Sequence, residues 1–282
     1  MLRRSFNSRA ILGCALALLF LTQFQGAALG RQSRPDSPKS KTAAKPKTAP
    51  AFAPKPAPAA PVPFAVGETL DYQVLWSQYS VHAATLEFSV VEKRDFYGHA
   101  AWHFRLLART VNTMGTIYPL IDQFDSYTDA AQLASLQYEL YIRELGKPES
   151  GVYRMSVGSE SAVAGATLVR VLPGTRDAVG FVYALRAIDW QRTPEFDAPV
   201  FDGRQLYQVH ARLESADDSV QIPAGHLPAS RIAVDIFENG KIKQDTRFQV
   251  WLGKDAAHTP LLIAAEVPFG SARVELLSLP KR

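Results

Sequence analysis

The chain has 282 residues, is 47% hydrophobic and 21% charged, and carries a formal net charge of +4. Residues 1–30 hold +3 of that charge and residues 31–63 hold +6, which leaves −5 for residues 64–282 and excludes the basic folded face of a nucleic-acid reader. The single cysteine, Cys14, lies within residues 1–30, so the rest of the chain has no disulfide, thiolate metal site or cysteine nucleophile.

Residues 1–30 read as a secretory signal. Arg3, Arg4 and Arg9 supply a positive start, Ala10 to Leu21 is an unbroken apolar run, and Ala28-Leu29-Gly30 offers small residues for cleavage near Gly30. A retained membrane anchor is the rival reading. It needs roughly 20 predominantly apolar residues, and Thr22, Gln23 and Gln25 interrupt the run first. Cys14 sits inside the apolar run rather than after it, which argues against a lipidated cysteine.

Residues 31–63 follow as a tail rich in Ala, Pro and Lys. Phe52 and Val62 are its only bulky apolar residues, so it cannot bury enough surface to offset its ordering entropy. As polyproline II at roughly 3.1 Å per residue it would reach on the order of 100 Å. It is expected to be a disordered spacer, or a tether for anionic envelope surfaces at roughly 1 kcal/mol per basic residue.

Residues 64–282 are expected to form one β-rich domain, large enough to bury roughly 70% of its unfolded surface without disulfides. Alternation of period two sets in at once. Leu70, Tyr72, Val74 and Trp76 form one apolar stripe. Ala84, Leu86, Phe88 and Val90 form the next, and Trp102, Phe104, Leu106 and Ala108 a third after a turn near Gly98. Strands are predicted over 121–128 and 136–145, and weaker ones over 151–157 and 164–172. Asp177 is placed to cap a helix in which Phe181, Val182, Leu185 and Ile188 recur at helical spacing, with Thr193-Pro194 at or beyond its end. Strands then resume at 206–213, 220–222, 231–237, 241–251, 261–267 and 272–277, with Asn239-Gly240 as a two-residue hairpin signal. No strand–helix–strand repeat occurs, which disfavours a parallel sheet. The predicted fold is all-β and mostly antiparallel: one large curved sheet or open barrel of about twelve strands with one helix packed against it. Each strand has one apolar face. One short helix covers only part of it, so the sheet either curls on itself or keeps a cavity.

Local catalytic motifs are absent from the sequence: no nucleophile elbow, no His-Glu-x-x-His, no phosphate loop and no dinucleotide fingerprint. His99 and His103 share a strand face, but four residues of rise put them roughly 13 Å apart, too far for one zinc at about 2 Å from each ligand. Asp122 and Asp125 fall on opposite faces. Asp217-Asp218 reads as a solvated turn, and Glu68 as a cap on the first strand. Trp76 and Trp102 are core residues or, alternatively, the lining of an apolar pocket. Arg186 snorkels or pairs with an acid such as Asp202, or else meets an anionic head group.

Pro63-Phe64-Ala65-Val66-Gly67-Glu68, then Leu70-x-Tyr72-x-Val74-x-Trp76, open a longer pattern. It continues at Asp177 with Tyr183-Ala184-Leu185-Arg186, at Pro223-Ala224-Gly225, and at Val250-Trp251-Leu252 with Asp255 and Pro260. It closes at Gly270-Ser271 with Leu276. In this order and spacing the chain resembles the bacterial exported family called domain of unknown function 3108. Val81-His82-Ala83 departs from it where the family carries Gly after the first strand. The resemblance implies an exported, β-rich envelope protein with a helix insert and supplies no catalytic residues. The expected role is a non-catalytic binding module for an amphiphilic or lipid-like ligand, or for an envelope partner. A tethered structural or assembly factor and an envelope-polymer hydrolase are the alternatives. The candidate ligand-binding set is Trp76, Trp102, Tyr183 and Arg186. No catalytic residue, cofactor or metal is expected. The partners would be lipid, glycolipid or an envelope protein in the periplasm or cell envelope.

Overall fold

A computed structural model describes residues 61–76, 81–157, 165–243, 246–267 and 270–280. The expected signal and all but the end of the tail lie outside the described residues. In chain order the elements are β1 (Thr69–Trp76), β2 (Val81–Phe96), β3 (His99–Thr110), α1 (Asn112–Ile117), β4 (Leu120–Asp129), β5 (Ser135–Glu144), β6 (Lys147–Ser156), β7 (Thr167–Arg170) and β8 (Arg176–Asp177). They are followed by α2 (Ala178–Ala187), β9 (Glu195–Phe201), β10 (Leu206–Ile222), β11 (Gly225–Glu238), β12 (Lys241–Ile242), β13 (Arg247–Gly253), β14 (Pro260–Val267) and β15 (Gly270–Leu276).

All fifteen strands join one sheet, in the order β7-β6-β5-β4-β3-β2-β1-β15-β14-β13-β11-β10-β9-β8, with β12 beside β11. Two antiparallel meanders, one from each half of the chain, meet where β1 pairs with β15 at Tyr72↔Leu276 and Val74↔Val274. The sheet is mixed, because β6–β7 and β8–β9 are parallel, and β7 and β8 at its two ends do not pair, so it stays open.

Several sequence expectations need correction. Among the described residues there are fifteen strands rather than about twelve, and two helices rather than one. The segments 206–213 and 220–222 are one strand, β10, whose register shifts between Leu213 and Ser215 and again before Asp218. Asp217-Asp218 is therefore a bulged strand segment and not a turn. Asp218 accepts from Trp251 Nε1 at 3.0 Å and faces Arg231 at 3.2 Å. The segment 241–251 is split into β12 and β13. β9 was missed although it alternates, with Phe196, Ala198 and Val200 inward and Glu195, Asp197 and Pro199 outward; a proline inside a run argues against a strand. Pro199 stands opposite Gln208 of β10, one residue before the pairing of β9 with the two-residue strand β8 begins at Val200.

Three turns show how the strands are reversed so tightly. Tyr97-Gly98, Leu145-Gly146 and the expected Asn239-Gly240 each have positive φ at both residues, the two-residue hairpin geometry that matches strand twist.

The sheet wraps its apolar face around α2. Every residue from Ala178 to Arg186 is buried, so this helix does not cap the sheet at an edge; it is the centre of the core. Asp177 caps it as expected, its side chain accepting from Gly180 N at 2.7 Å. The same carboxylate accepts from Ser126 Oγ and Ser135 Oγ at 2.6 Å each, which ties the helix to β4 and β5. Gly180 permits the approach: a Cβ there would lie 3.1 Å from Thr128 Oγ1 and 3.2 Å from both Ser126 Oγ and Ser135 Oγ. Across α2 the two arms of the sheet touch through side chains, with the Tyr153 and Phe201 rings 5.5 Å apart. A hydrogen bond from Ser135 N to Thr175 O, 2.9 Å, joins β5 to the entry of β8. One continuous core runs from Phe64 to Leu276.

Candidate functional site

Trp102, Tyr183 and Arg186 are brought together on the inner face, but around the chain's own Phe64. Trp102 comes from the apolar stripe of β3, and Tyr183 and Arg186 from one side of α2, one turn apart. The Phe64 ring lies edge-on to Trp102 at 5.3 Å, to Phe104 at 5.3 Å and to Tyr183 at 5.2 Å. The Arg186 guanidinium sits 5.4 Å from the Phe64 ring and 5.2 Å from Tyr183. Trp76, the fourth expected residue, is a buried core side chain on β1, opposite Ala272 of β15 and Val81 of β2.

Arg186 neither snorkels nor pairs with Asp202. It is fully buried and forms a two-pronged ion pair with Glu68, Nη1 to Oε1 at 2.6 Å and Nη2 to Oε2 at 2.8 Å. Nε and Nη2 also donate to the carbonyl of Ala257, at 3.2 and 3.1 Å. Glu68 is thus the counter-charge of the helix and not a strand cap. Burial pushes the Tyr183 hydroxyl well above the ordinary tyrosine range, the neighbouring Arg186 charge opposing this only in part. Tyr183 Oη and Trp102 Nε1 are buried and find no hydrogen-bond partner among the described residues.

The outer face carries the larger concavity, a groove of about 1000 Å³ that crosses β1 to β6. Pairing fixes its floor: Thr85 opposes Arg109, Arg109 opposes Ile121, and Ile121 opposes Arg143, all on the outward parity. Leu107, Ile121 and Tyr141 are 36%, 52% and 42% exposed and supply its apolar patches. Glu87, Arg109 and Arg143 supply charge. Asp122 borders it from the inward parity, where it pairs with Ala108 and Ile142; it is buried and accepts from Arg143 N at 3.0 Å. Burial pushes its carboxyl up to about 7, with Glu144 adding to the shift and the backbone bond opposing it.

Beside the groove runs a polar network. Asp125 Oδ1 lies 2.6 Å from His103 Nε2 and accepts from Arg105 Nε at 2.8 Å, while Oδ2 accepts from Gln123 Nε2 at 2.5 Å. Burial alone would raise the Asp125 carboxyl, but these hydrogen bonds outweigh it and hold the group below its ordinary value. The bulge after Val90 sets Glu92 opposite His103, with Oε1 3.6 Å from Nδ1. Tyr127 stacks on the His103 ring at 4.5 Å. His103 Nδ1 is buried and Nε2 faces Asp125, so neither ring nitrogen is offered to a substrate. Among the described residues, no three His, Cys, Asp or Glu side chains converge as metal ligands would.

Sequence reasoning missed this face because it searched the apolar one. The signal was present: Leu107 and Ile121 occupy outward positions in strands whose other outward residues are Arg105, Arg109, Gln123 and Asp125. A large apolar residue out of phase, and repeated on neighbouring strands, marks a surface that does more than face water.

A family model described as "Protein of unknown function (DUF3108)" matches residues 71–277. No curated protein matches the chain. Among solved structures, the chain is similar to a β-barrel-like protein of domain of unknown function DUF1849 from Brucella abortus. That pair is 11% identical over 75% of this chain and 96% of the other, with a TM-score of 0.48. It is also similar to a candidate lipoprotein from Parabacteroides distasonis, at 9% identity over 78% and 97% of the two chains, TM-score 0.35. A candidate exported protein with a YmcC-like fold from Bacteroides fragilis is 8% identical over 78% and 98%, TM-score 0.31.

Proposed function

The chain belongs to the DUF3108 family, and we propose that within it this domain is a non-catalytic binding module of the cell envelope whose outer-face groove takes an amphiphilic ligand, a lipid or glycolipid. The observation that carries the reading is the groove itself. It has the volume of a small-molecule site, with apolar patches at Leu107, Ile121 and Tyr141 and charges of both signs at Glu87, Arg109 and Arg143. Such a lining suits a ligand with an apolar body and a polar or zwitterionic head. The envelope location rests on the export signal read in residues 1–30. The inner face, where a lipid was first expected, is filled by α2 and Phe64, so the ligand is assigned to the other side of the sheet.

The protein is purified from its native membranes under mild conditions and examined by native mass spectrometry, beside the variants Ile121→Lys and Tyr141→Glu. Both positions are exposed, so each variant is expected to fold. A lipid-sized adduct on the wild type that both variants lose is the expected result. An adduct that survives in both, or a wild type that neither carries one nor takes up added phospholipid or glycolipid, overturns the reading.

A further inference from the structure

The short segment ahead of β1 has the chemistry of a ligand. Phe64 offers an apolar ring to Trp102, Phe104 and Tyr183, and four residues later Glu68 offers a carboxylate to Arg186. Together they form an anionic amphiphile built from the chain itself. Two polar atoms of this cage, Trp102 Nε1 and Tyr183 Oη, are buried without a hydrogen-bond partner. Buried polar groups of native proteins are nearly always satisfied, so the peptide plug fills the cage in shape and charge but leaves its donors unused.

The plug is also lightly held. Its backbone meets the neighbouring strand through Gly67 N to Val90 O at 2.8 Å and Val90 N to Glu68 O at 2.9 Å. Its outer side borders a cavity of about 750 Å³ lined by residues 62–69 and the Asp255–Ala257 loop, whose Ala257 carbonyl is itself bound to Arg186.

We propose that residues 63–68 are a displaceable internal ligand, and that the Arg186 cage is a second binding site for an amphiphile with a monoanionic head, carboxylate or phosphate, and an apolar body. The incoming head takes over the guanidinium from Glu68, so the buried cation is never left unpaired. The body takes the place of Phe64, and oxygen atoms near the head accept from Tyr183 and Trp102. The site lies on the opposite face of the sheet from the groove and does not depend on it.

The test uses hydrogen exchange at the Gly67 and Val90 amides of the wild-type protein. Sodium dodecanoate, dodecyl phosphate and uncharged dodecyl maltoside are added below their micelle concentrations. Either anion is expected to speed exchange at both amides at least about tenfold with saturable binding, and the uncharged amphiphile to leave them protected. Comparing dodecanoate with dodecyl phosphate shows which head is preferred. Phe64→Ala, which weakens the plug, is expected to tighten anion binding by at least about tenfold, because more of the protein is already open. Should that variant fail to fold, the wild-type exchange decides alone. Ile121→Lys in the outer groove is expected to leave the effect intact. Absence of saturable binding, binding with both amides still protected, equal displacement by dodecyl maltoside, or loss of the effect in Ile121→Lys each overturns the proposal.

Discussion

Arg186 on α2 and Asp122 near the start of β4 are both buried charged residues on the inward side of the sheet, and the fold treats them in opposite ways. Arg186 is matched by a two-pronged carboxylate and a backbone carbonyl, with rings on either side. Asp122 has one backbone N–H and an acidic neighbour, and its carboxyl has moved up to about 7. The first arrangement leaves no charge unmatched. The second leaves a group poised to change charge at the rim of a groove. The contrast separates two regions of the inward side: around α2 the buried charge is matched, and at the start of β4 it is not.

The largest effect expected from breaking this contrast is on the inner face. Arg186→Ala leaves Glu68 buried without its partner, and removal of one member of a buried pair costs about 3–5 kcal/mol. Urea unfolding measures it. The double variant Arg186→Met with Glu68→Leu should lose less than Arg186→Ala alone, because no charge is then stranded. If the double variant is as unstable as the sum of its single changes, the pair is not the unit that matters there.

Next in size is Gly180→Ala, the clearest probe of how closely α2 sits on the sheet. Alanine favours a helix interior over glycine by about 1 kcal/mol. Here the added methyl would meet three hydroxyl oxygens at 3.1–3.2 Å, and overpacking typically costs about 1–3 kcal/mol. A net loss of about 1 kcal/mol in thermal or urea unfolding is expected. A gain would mean that the Ser126, Thr128 and Ser135 cluster yields, and that the inner face is softer than the contrast requires.

That cluster also shows what the sequence made legible. Period-two stripes gave β1 to β3 with their correct inward faces and located β4 and β5, and Asp177 was identifiable as a helix cap from its own chemistry. Those are local facts. The wrapping of the sheet around α2 is not local. It depends on small and hydroxylated residues of β4 and β5 meeting a glycine some fifty positions later, and nothing in their spacing announces it. The partner of Arg186 was missed for the same reason: Glu68 is 118 residues away, while Asp202 was merely nearer in sequence. Trp102, Tyr183 and Arg186, three of the four residues singled out, do lie together around Phe64, which stands at the edge of a segment that reads as tail. On the outer face Leu107 and Ile121 were visible as exceptions to the alternation, but an exception on one strand means little until register places it beside others.

On the outer face, Asp125→Asn is expected to cost about 1 kcal/mol at pH 7, because the side chain keeps its position but its charge-assisted bonds to Arg105 and His103 weaken. The pH dependence carries a sign. The Asp125 carboxyl is held below its ordinary 3.8, so its contribution is present above pH 3.8 and is lost as the pH falls through the lower folded value. The variant and the wild type should therefore converge in stability in acid. A gap that persists at pH 2 would mean that the amide disturbs packing rather than charge.

Asp122→Asn should do the opposite, and this reversal is the finest test of the contrast between the two buried charges. In the folded protein the carboxyl is raised from 3.8 to about 7, so between those values the folded state holds a proton that the unfolded state has released. Stability contributed by Asp122 is therefore full below pH 3.8, declines as the pH rises towards 7, and is flat beyond it. Water in the open groove screens part of this, so the loss amounts to about 1 kcal/mol and not the full value of the shift. Asparagine keeps an oxygen to accept from Arg143 N and carries no charge. The variant should match the wild type at pH 3.5 and exceed it by about 1 kcal/mol at pH 8, read as urea midpoints at the two pH values. A variant less stable than wild type at pH 8 would mean that the ionised carboxylate is held by Arg109 or Arg143, and that the start of β4, like the surroundings of Arg186, has its charge matched.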